Sequence, residues 1–419
     1  MKKQILFALP LMAAMLLSCK SNKSKGNPTS ADLPDPSAPG VTEVEQDLAF
    51  GKLSNAVSKV VAADALGLKV GVSLDADISL NVPKGNGTAS DKVDWETGTV
   101  DASATTTVEV NAKGLKNNGV QNYRANAAMS FAESVHIDLP ESVSSMMGAI
   151  PGANLDPDVL EYLSDFSLDT NGDLAAYFDG TRAYLDISQD YVDAVREIAE
   201  LNGATMDENN LQAGKFRSPE IPLNDYRRTF NLAAFIQQNA GEVLANIDTY
   251  AAQYIGMFED YFTEFKALKY SDSKYALYAE ADLLPVVMAK LPEQYATMID
   301  ALLDDNDKLT ATVGVVYDIE KGVESIGAIV EADVEVTYFD IVAGLSGADE
   351  ATLDAMRKQL GADADKKLVD AQVALSASVE LKTGADVKVV ELTDAQKAEY
   401  KDMPTGGAAK EGQSGPVLA

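Results

Sequence analysis

Apolar and polar residues alternate along three long runs in the first part of the chain. In residues 68–82, Leu, Val, Ala and Ile alternate with Lys, Gly, Ser, Asp and Asn. Strict alternation predicts a β-strand with one apolar and one polar face. The same pattern predicts strands over residues 100–112 and 123–139, with Glu133 as the exception on the apolar side. Each strand would be near 50 Å long at about 3.3 Å per residue, and one wet face favours an antiparallel sheet.

Helical spacing of apolar residues begins before these strands. Residues 42–66 are predicted to form an amphipathic helix, because Thr42 and Glu45 have the spacing of a capping box and Gly67 is a suitable end. Ser188 is expected to cap a helix that ends at Leu201. Further helices are predicted over residues 229–268, 284–303 and 349–368.

Further strands are predicted between the helices. Residues 174–187 form a hairpin with Asp179-Gly180 at its turn, and residues 270–281 form a strand. Residues 309–319 and 323–338 form a second hairpin, and residues 369–392 form one or two closing strands. This order predicts an α+β fold, with a long curved antiparallel sheet, half-barrel-like, packed against several helices. Residues 142–164 are expected to mix loop and helix, and residues 202–225 to form an irregular loop.

The first nineteen residues have the features of a secretion signal. Lys2 and Lys3 precede an apolar run over residues 5–17, which is too short to cross a bilayer. The run ends in Leu16-Leu17-Ser18-Cys19, which resembles the lipobox of bacterial lipoproteins. The resemblance implies that residues 1–18 are a signal peptide and that the Cys19 thiol carries a diacylglyceryl group. An ordinary cleaved signal and an uncleaved apolar anchor remain alternatives.

Four regions follow from these patterns. Residues 1–18 are the expected signal peptide, 19–41 a flexible lipid-anchored linker, 42–392 an α+β globular domain and 393–419 a disordered tail. Cys19 is the only cysteine, so no intramolecular disulfide can form. A Lys directly after the cysteine favours the outer membrane, by resemblance to sorting rules in bacteria with two membranes. The expected location is therefore the cell envelope, with a lipid on Cys19 as the contact with the membrane.

The charge of the chain excludes one class of partner. It has 34 basic and 65 acidic residues and a formal net charge of −31. Such a field repels nucleic acid, so neither DNA nor RNA is expected as a partner.

The chain shows no pattern typical of an enzyme. Its one histidine, His136, lies on the expected polar face of the third strand, and the chain has no Gly-x-Ser-x-Gly turn. Asp169, Asn171 and Asp173 alternate as calcium ligands do, but the Gly and Glu of a calcium loop do not follow. We expect no catalytic site, no metal site and no cofactor, and we interpret the alternating oxygens as turn chemistry.

One aromatic stripe is a candidate ligand-binding surface. Seven residues recur at spacings of three and four, which predicts one face of a helix. This face either packs on the sheet or lines a lipid-binding cavity opposite the small Ala side chains of the second strand. Its members are Tyr250, Tyr254, Met257, Phe258, Tyr261, Phe262 and Phe265.

Residues 42–392 resemble a known superfamily in pattern. The helix that leads into residues 68–82, the stretch LAAYFDGTRAYLD at residues 174–186 and the stretch VVYDIEKG at residues 315–322 are similar to periplasmic lipoprotein-localisation factors and mycobacterial lipid-carrier lipoproteins. The resemblance implies a half-barrel sheet around helices, with acyl chains carried between the two layers. It includes no diagnostic motif, so no functional residue is carried over.

Two hypotheses follow. The first is an anchored lipoprotein that binds or carries a lipid-like ligand in an apolar cavity between sheet and helices. The alternative is a non-enzymatic structural or surface-interaction lipoprotein with a filled core, an exposed apolar patch and a protein partner of unknown identity. A calcium-dependent or hydrolytic surface protein is a third reading, and it would need carboxylates clustered in a cleft.

Overall fold

The computed structural model describes residues 33–83, 94–117, 119–140, 164–201, 211–222, 261–291, 307–346 and 349–403, with eight single residues between these ranges. The expected signal peptide, Cys19 and most of the expected linker lie outside the described residues. So do residues 141–163 and the chain from residue 404 onward.

The described strands form one large sheet. In chain order the strands β1 to β13 are Thr42–Glu43, Ala65–Pro83, Trp95–Lys113, Arg124–Asp138, Asp165–Phe178, Ala183–Ile187, Gly214–Arg217, Phe262–Lys269, Lys274–Asp282, Lys308–Asp318, Gly322–Thr337, Lys367–Thr383 and Lys401–Asp402. The order across the sheet is β1-β8-β9-β10-β11-β12-β2-β3-β4-β5-β6-β7-β13, and the sheet is open because β1 and β13 are its outer strands. Neighbours are antiparallel, except that β13 lies parallel to β7.

Two meanders make up this sheet. Strands β2 to β7 follow one another in order, as do β8 to β12, and β12 joins the halves by pairing along β2. The helices within the described ranges are α1 Gln46–Val61, α2 Gln189–Leu201, α3 Leu284–Met288, α4 Tyr338–Ser346, α5 Glu350–Leu360 and α6 Asp394–Lys397. The coarse expectation of an α+β protein with one large sheet and several helices is confirmed.

The two faces of the sheet differ in chemistry along its central strands β12, β2 and β3. One face, here called the apolar face, carries every second residue of β2 from Leu68 to Val82. The neighbouring strands continue this face, because Val70 pairs with Val379 of β12 and with Val108 of β3. The opposite, polar face carries Ser73, Asp75 and Asp77. Because the side-chain period of a strand is two, in-register pairing keeps each chemistry on its own side.

The long strands match their sequence pattern closely, but the start of the first helix does not. Thr42 and Glu45 form no capping box. Thr42 and Glu43 instead pair with Lys269 and Leu268 of β8, and α1 begins at Gln46. Backbone groups at the edge of a sheet can bond a passing strand, and this pairing replaces a cap worth about 1 kcal/mol. Gly67 does not end the helix, because it lies within β2.

The longest predicted helix ends earlier than expected. Residues 262–268 belong to β8 and not to a helix. A bulge between Phe262 and Glu264 places Phe262 and Phe265 on the same face of the strand, where regular alternation would separate them. Their spacing of three therefore imitates a helix. Most of residues 229–261 lie outside the described residues.

Several other predicted element boundaries differ from those in the structure. The expected loop at residues 202–225 contains β7, and α4 forms over residues 338–346 where no helix was predicted. The closing strand β12 ends at Thr383, and α5 ends at Leu360. Within residues 284–303 the described helix is α3, and residues 292–298 lie outside the described range.

Both ends of the described chain are more ordered than predicted. In the N-terminal segment, residues 33–41, Pro34 is buried and Val41 packs on Leu268, Ala276 and Val316 of the polar face. At the other end, residues 387–402 form a C-terminal strap across the polar face. Tyr400 is buried there against Tyr184, with ring centroids 5.3 Å apart, and this packing explains why the chain stays ordered beyond residue 392.

Candidate functional site

A central apolar band on the apolar face is open to solvent. Its four members lie on four adjacent strands, β10, β11, β12 and β2, and between 40% and 44% of each residue is exposed: Val313, Ile326, Leu375 and Val72. Single exposed apolar residues are common, but a contiguous group of large ones marks an interaction surface. The band therefore is the strongest candidate binding surface among the described residues.

Packed clusters lie on both sides of this band along the strands. At one end, α1 places Phe50 and Leu53 on Tyr317, Tyr275 and neighbouring residues of β8 to β11. At the other end, Ile78, Val334, Val336 and Ala371 pack together, with Ile341 of α4 against them. The middle of the face lies between these two packed clusters, and four of its large apolar side chains stay accessible.

Helix α2 covers the β5 side of the apolar face. Gly172 permits its close approach, because a Cβ there would lie 2.5 Å from the Cα of Tyr191. The Tyr191 ring meets Phe131 edge-on with centroids 5.9 Å apart, and Leu201 at the other end of α2 packs on a cluster that includes Phe166. The helix therefore follows β5 over the residues between Gly172 and Phe166.

Two polar side chains interrupt the apolar face beside this helix. Glu133 on β4 lies directly opposite Thr170 on β5, and Ala104 of β3 is the partner of Glu133 on the other side. Thr170 is 6% exposed, and its hydroxyl oxygen has no hydrogen-bond partner within the part of the chain that the structure describes. Glu133 is half-buried, and its carboxylate forms no hydrogen bond or ion pair with any described residue. Buried polar groups in proteins are normally bonded, so this pair requires an explanation.

The row of residues through this pair reaches the central apolar band. From Glu133 it crosses Ala104 of β3 and Leu74 of β2 and ends at Leu375 of β12. Three strand spacings separate the first and last residue, about 14 Å. Ala104 contributes a small side chain to this row.

The seven aromatic-stripe residues are only partly described. Tyr250, Tyr254, Met257 and Phe258 lie outside the described residues. Tyr261 is 48% exposed, while Phe262 and Phe265 lie on β8, so the prediction of a single helical face is wrong for these two. Phe265 stacks on Phe50 with ring centroids 6.5 Å apart and fills the α1 cluster. Of the described stripe residues, Phe265 therefore packs the core while Tyr261 is exposed, and a role of the stripe in binding stays a prediction.

A cluster around His136 was not foreseen. His136 lies on the exposed polar face as predicted, and the Ser167 hydroxyl is 2.8 Å from its Nδ1. Asp169 lies 3.7 Å from Nε2 and accepts a bond from Ser134. Ser-x-His on β4 and Ser-x-Asp on β5 were visible in the sequence, but their register was not. The His136 and Asp169 side chains are 51% and 65% exposed, whereas electrostatic catalysis relies on groups shielded from water.

Several acidic residues of the polar face lie within strands and not in turns. Asp169, Asn171 and Asp173 lie within β5, so the interpretation of these three as turn residues is wrong. Burial, together with the nearby charges of Asp101 and Asp370, raises the pKa of Asp77. Among the described residues no group of three or more His, Cys, Asp or Glu is arranged to hold a metal ion.

A groove lies at one end of the polar face. Its volume is about 810 Å³, and its lining includes Leu33 of the N-terminal segment and Lys382 and Lys388 near the strap. An ion pair of 2.7 Å between Lys274 and Glu324 also belongs to it. Of the helices described, none is long and apolar enough to cross a membrane.

These features define an α+β protein built on one open antiparallel sheet with an accessible apolar face. Comparison with known proteins adds no relative, since no protein-family model matches the chain and no curated protein is significantly similar to it.

Proposed function

We propose that this protein is a membrane-anchored lipoprotein of the bacterial cell envelope that binds or carries a lipid-like ligand. In this proposal the ligand lies against the apolar face, and the sheet curls around it as a half-barrel. The observation that carries the proposal is the central apolar band between the two packed clusters. Covering this band with a ligand would remove four large apolar side chains from water, at about 25 cal/mol per Å² buried.

The proposed anchor is a lipid on Cys19. Thirteen residues separate Cys19 from Leu33, where the described chain begins on the sheet, and they reach at most about 45 Å when fully extended. Two or more acyl chains give stable anchoring, whereas one gives marginal binding. Such a tether would hold the acidic sheet close to the membrane without inserting it.

Native mass spectrometry tests ligand binding. Residues 20–419 would be purified from a bacterial host and incubated with mixed phospholipids, monoacylglycerols and fatty acids. We expect extra mass that is released as lipid on denaturation. A clean apo mass after every incubation would contradict the proposal. A matched variant, Leu375→Asp, should reduce the bound fraction, and Ser378→Asp on the opposite face of the same strand should not.

Membrane fractionation tests the anchor separately. Wild-type chain and the Cys19→Ser variant would be expressed in a bacterium fed labelled palmitate. Label and membrane association are expected for the wild type and should be lost in the variant. A variant that stays labelled and membrane-bound would exclude Cys19 as the lipid attachment site, whatever the ligand experiment shows.

The openness of the band also favours a second candidate. A non-enzymatic surface-interaction lipoprotein would use the same exposed residues to bind an apolar surface of a protein partner. It predicts a clean apo mass in every lipid incubation. It also predicts that the wild-type chain captures one defined partner from envelope extracts and that the Leu375→Asp variant does not.

A further inference from the structure

The polar face carries a second groove beside the one described above. Its volume is about 420 Å³, and its lining includes Ala128, Asp173 and Asp186. Glu109 of β3 lines this groove and also the groove of about 810 Å³ at the end of the same face. The two grooves therefore meet at Glu109, and together they are here called the long groove.

The strand register places the floor of the long groove along one row of residues that crosses the sheet. The row begins at Ser325 on β11, passes through Glu380, Glu109 and Ala128, and ends at Asp186 on β6. Six strand spacings separate its two ends, about 29 Å. A groove of this length suits an extended chain of repeating units better than a compact ligand.

Two segments outside the long strands border this row. The C-terminal strap follows the neighbouring row of the same face, where the Val390 amide donates a bond of 2.8 Å to the side-chain oxygen of Asn126. The N-terminal segment borders the β10 end of the groove, and the Tyr270 hydroxyl holds it there by donating a bond of 3.2 Å to the Asp35 carbonyl. The row between them stays open to solvent.

The charged groups on this floor are within reach of a ligand. Lys69 lies between Glu380 and Glu109 in the row, and its ammonium is 2.9 Å from the Glu380 carboxylate. The side chains of Lys69 and Glu380 are 34% and 37% exposed, and that of Asp186 is 37% exposed. Asn111 donates a bond of 2.8 Å to Glu109 and so orients this carboxylate. A ligand on the row therefore meets accessible groups of both signs.

This mixture of charges indicates the chemistry of the ligand. A polyanion would meet Glu380 and Glu109, and a polycation would meet Lys69, Lys382 and Lys388, so either would place like charges close together. The net charge of −31 further disfavours approach of a polyanion. A neutral chain rich in hydroxyl groups suits both kinds of residue, because a hydroxyl donates to carboxylates and accepts from ammonium groups.

We propose that the long groove binds a neutral oligosaccharide, which lies extended across the strands of the polar face. This site goes beyond the proposed lipid binding and does not depend on it, because the central apolar band lies on the opposite face of the sheet. Recognition relies on hydrogen bonds from sugar hydroxyl groups to the carboxylate and ammonium groups of the floor row.

Isothermal titration calorimetry tests this proposal. The chain from residue 19 onward, with Cys19→Ser, would be titrated with maltohexaose, cellohexaose, xylohexaose and N-acetylchitohexaose, and with the disaccharide of each sugar. Because the floor row is long, a ligand that fills more of it should bind more tightly. We expect at least one hexasaccharide to bind at least about tenfold more tightly than its disaccharide, which is a factor of ten in Kd. Hexagalacturonate and hexalysine, the charged probes, should bind more weakly than that hexasaccharide.

A pair of matched substitutions locates the binding site. Ala128→Trp places a large side chain on the floor of the groove at an exposed position, and it should weaken the hexasaccharide at least about tenfold. Ala132→Trp is the control, because Ala132 is also exposed and lies on the same face of β4, about 13 Å further along the strand. It should leave the affinity unchanged.

A second pair tests the contribution of the carboxylate at the meeting point of the two grooves. Glu109→Ala removes an acceptor there and should also weaken the hexasaccharide, whereas Glu331→Ala on the exposed polar side of β11 should not. Circular dichroism checks that each variant is folded. If one groove variant misfolds, the other remains as the test.

The outcomes separate this site from the lipid site. Binding of the neutral fluorescent probe N-phenyl-1-naphthylamine, which reports on the apolar face, should be the same in wild type and Ala128→Trp. Tighter binding of hexagalacturonate or hexalysine than of every neutral hexasaccharide would overturn the assignment of a neutral ligand. Equal losses in Ala128→Trp and Ala132→Trp would remove the long groove as the site. Absence of binding by all four hexasaccharides would overturn the proposal and leave lipid binding as a separate result.

Discussion

Lys397 places its ammonium 2.8 Å from the carboxylate of Asp179, and this ion pair joins the C-terminal strap to the turn between β5 and β6. Asp179 also accepts bonds from the backbone N–H groups of Thr181 and Arg182 and from the Tyr184 hydroxyl. Burial alone would raise the pKa of Asp179, but these bonds, with that from Lys397 the strongest, hold it well below its ordinary value. The Asp179 carboxylate therefore stabilises both the turn and the position of the strap.

The depressed pKa of Asp179 predicts acid sensitivity. Its contribution to stability is present above the unfolded pKa of about 4 and is lost as the pH falls below that value. Asp179→Asn should lower the free energy of unfolding at pH 7 by about 1–3 kcal/mol, and the difference from wild type should shrink toward pH 3. Urea unfolding at both pH values measures this. A deficit that is equal at the two values would show that ionisation is not the cause.

A charged residue in the central apolar band should leave the stability of the folded protein nearly unchanged but weaken ligand binding. Leu375 is 43% exposed, so Leu375→Asp is expected to change the free energy of unfolding by less than about 1 kcal/mol. Binding of N-phenyl-1-naphthylamine should weaken at least about tenfold, since a charge would then be buried against an apolar ligand. Thermal unfolding and a fluorescence titration measure the two effects. Equal affinities for wild type and variant would remove the band from the binding surface.

The hydroxyl of Thr170 is expected to destabilise the ligand-free protein. A buried polar group without a partner costs about 1–3 kcal/mol, and valine has nearly the same shape without that group. Thr170→Val should therefore raise the free energy of unfolding by about 1 kcal/mol in the absence of lipid. Thr170→Ser keeps the hydroxyl and should not show this gain. A loss of stability in Thr170→Val would mean that the hydroxyl is already satisfied in solution.

The parts of this fold that follow a local period could be predicted from the sequence. Alternation over residues 68–82 predicted a strand observed as Ala65–Pro83, because one buried face constrains every second residue. The strand β8 could not be predicted, since its bulge gives Phe262 and Phe265 the spacing of a helix. The strap escaped prediction for another reason: its order depends on Tyr400 packing against Tyr184, a contact between distant parts of the chain.

Of the candidate site, too, only a part could be predicted from the sequence. Glu133 was visible as the one charged residue on the apolar side of its strand. Nothing near Thr170 in the sequence indicates that it is 6% exposed in the structure, because burial of one strand position depends on what packs over it from elsewhere in the chain. The central apolar band could not be predicted either. The alternating pattern predicts which side chains share a face, but it does not predict which of them a helix covers.

Tyr317 should be the residue through which α1 is coupled to the sheet. Its side chain is fully buried, and its hydroxyl donates a bond of 2.6 Å to the Ala49 carbonyl. Tyr317→Phe is expected to cost about 1 kcal/mol of stability at pH 7. Burial, and then the neighbouring Tyr275, raises the pKa of Tyr317 above its ordinary value, so the wild type should lose stability as the pH rises above about 10. Urea unfolding between pH 7 and 11 should show a smaller loss in the variant, and parallel curves would contradict the assignment.

The close contact between Gly314 and Pro34 should decide whether the N-terminal segment stays on the sheet. A Cβ at Gly314 would overlap the Pro34 ring and lie 3.1 Å from a Leu33 methyl group. Gly314→Ala is therefore expected to displace residues 33–41 while the sheet, which pairs through its backbone, stays formed. Hydrogen–deuterium exchange should then be faster at the Val41 amide, which donates to the Ala38 carbonyl in the wild type. Gly51→Ala in α1 is the matched control, because a Cβ there meets nothing within 4 Å. It should raise the stability by about 0.5–1 kcal/mol and leave Val41 exchange unchanged. Unaltered protection of Val41 in Gly314→Ala would show that the segment does not depend on this contact, and the proposed tether would then begin its path to the membrane from a different point on the sheet.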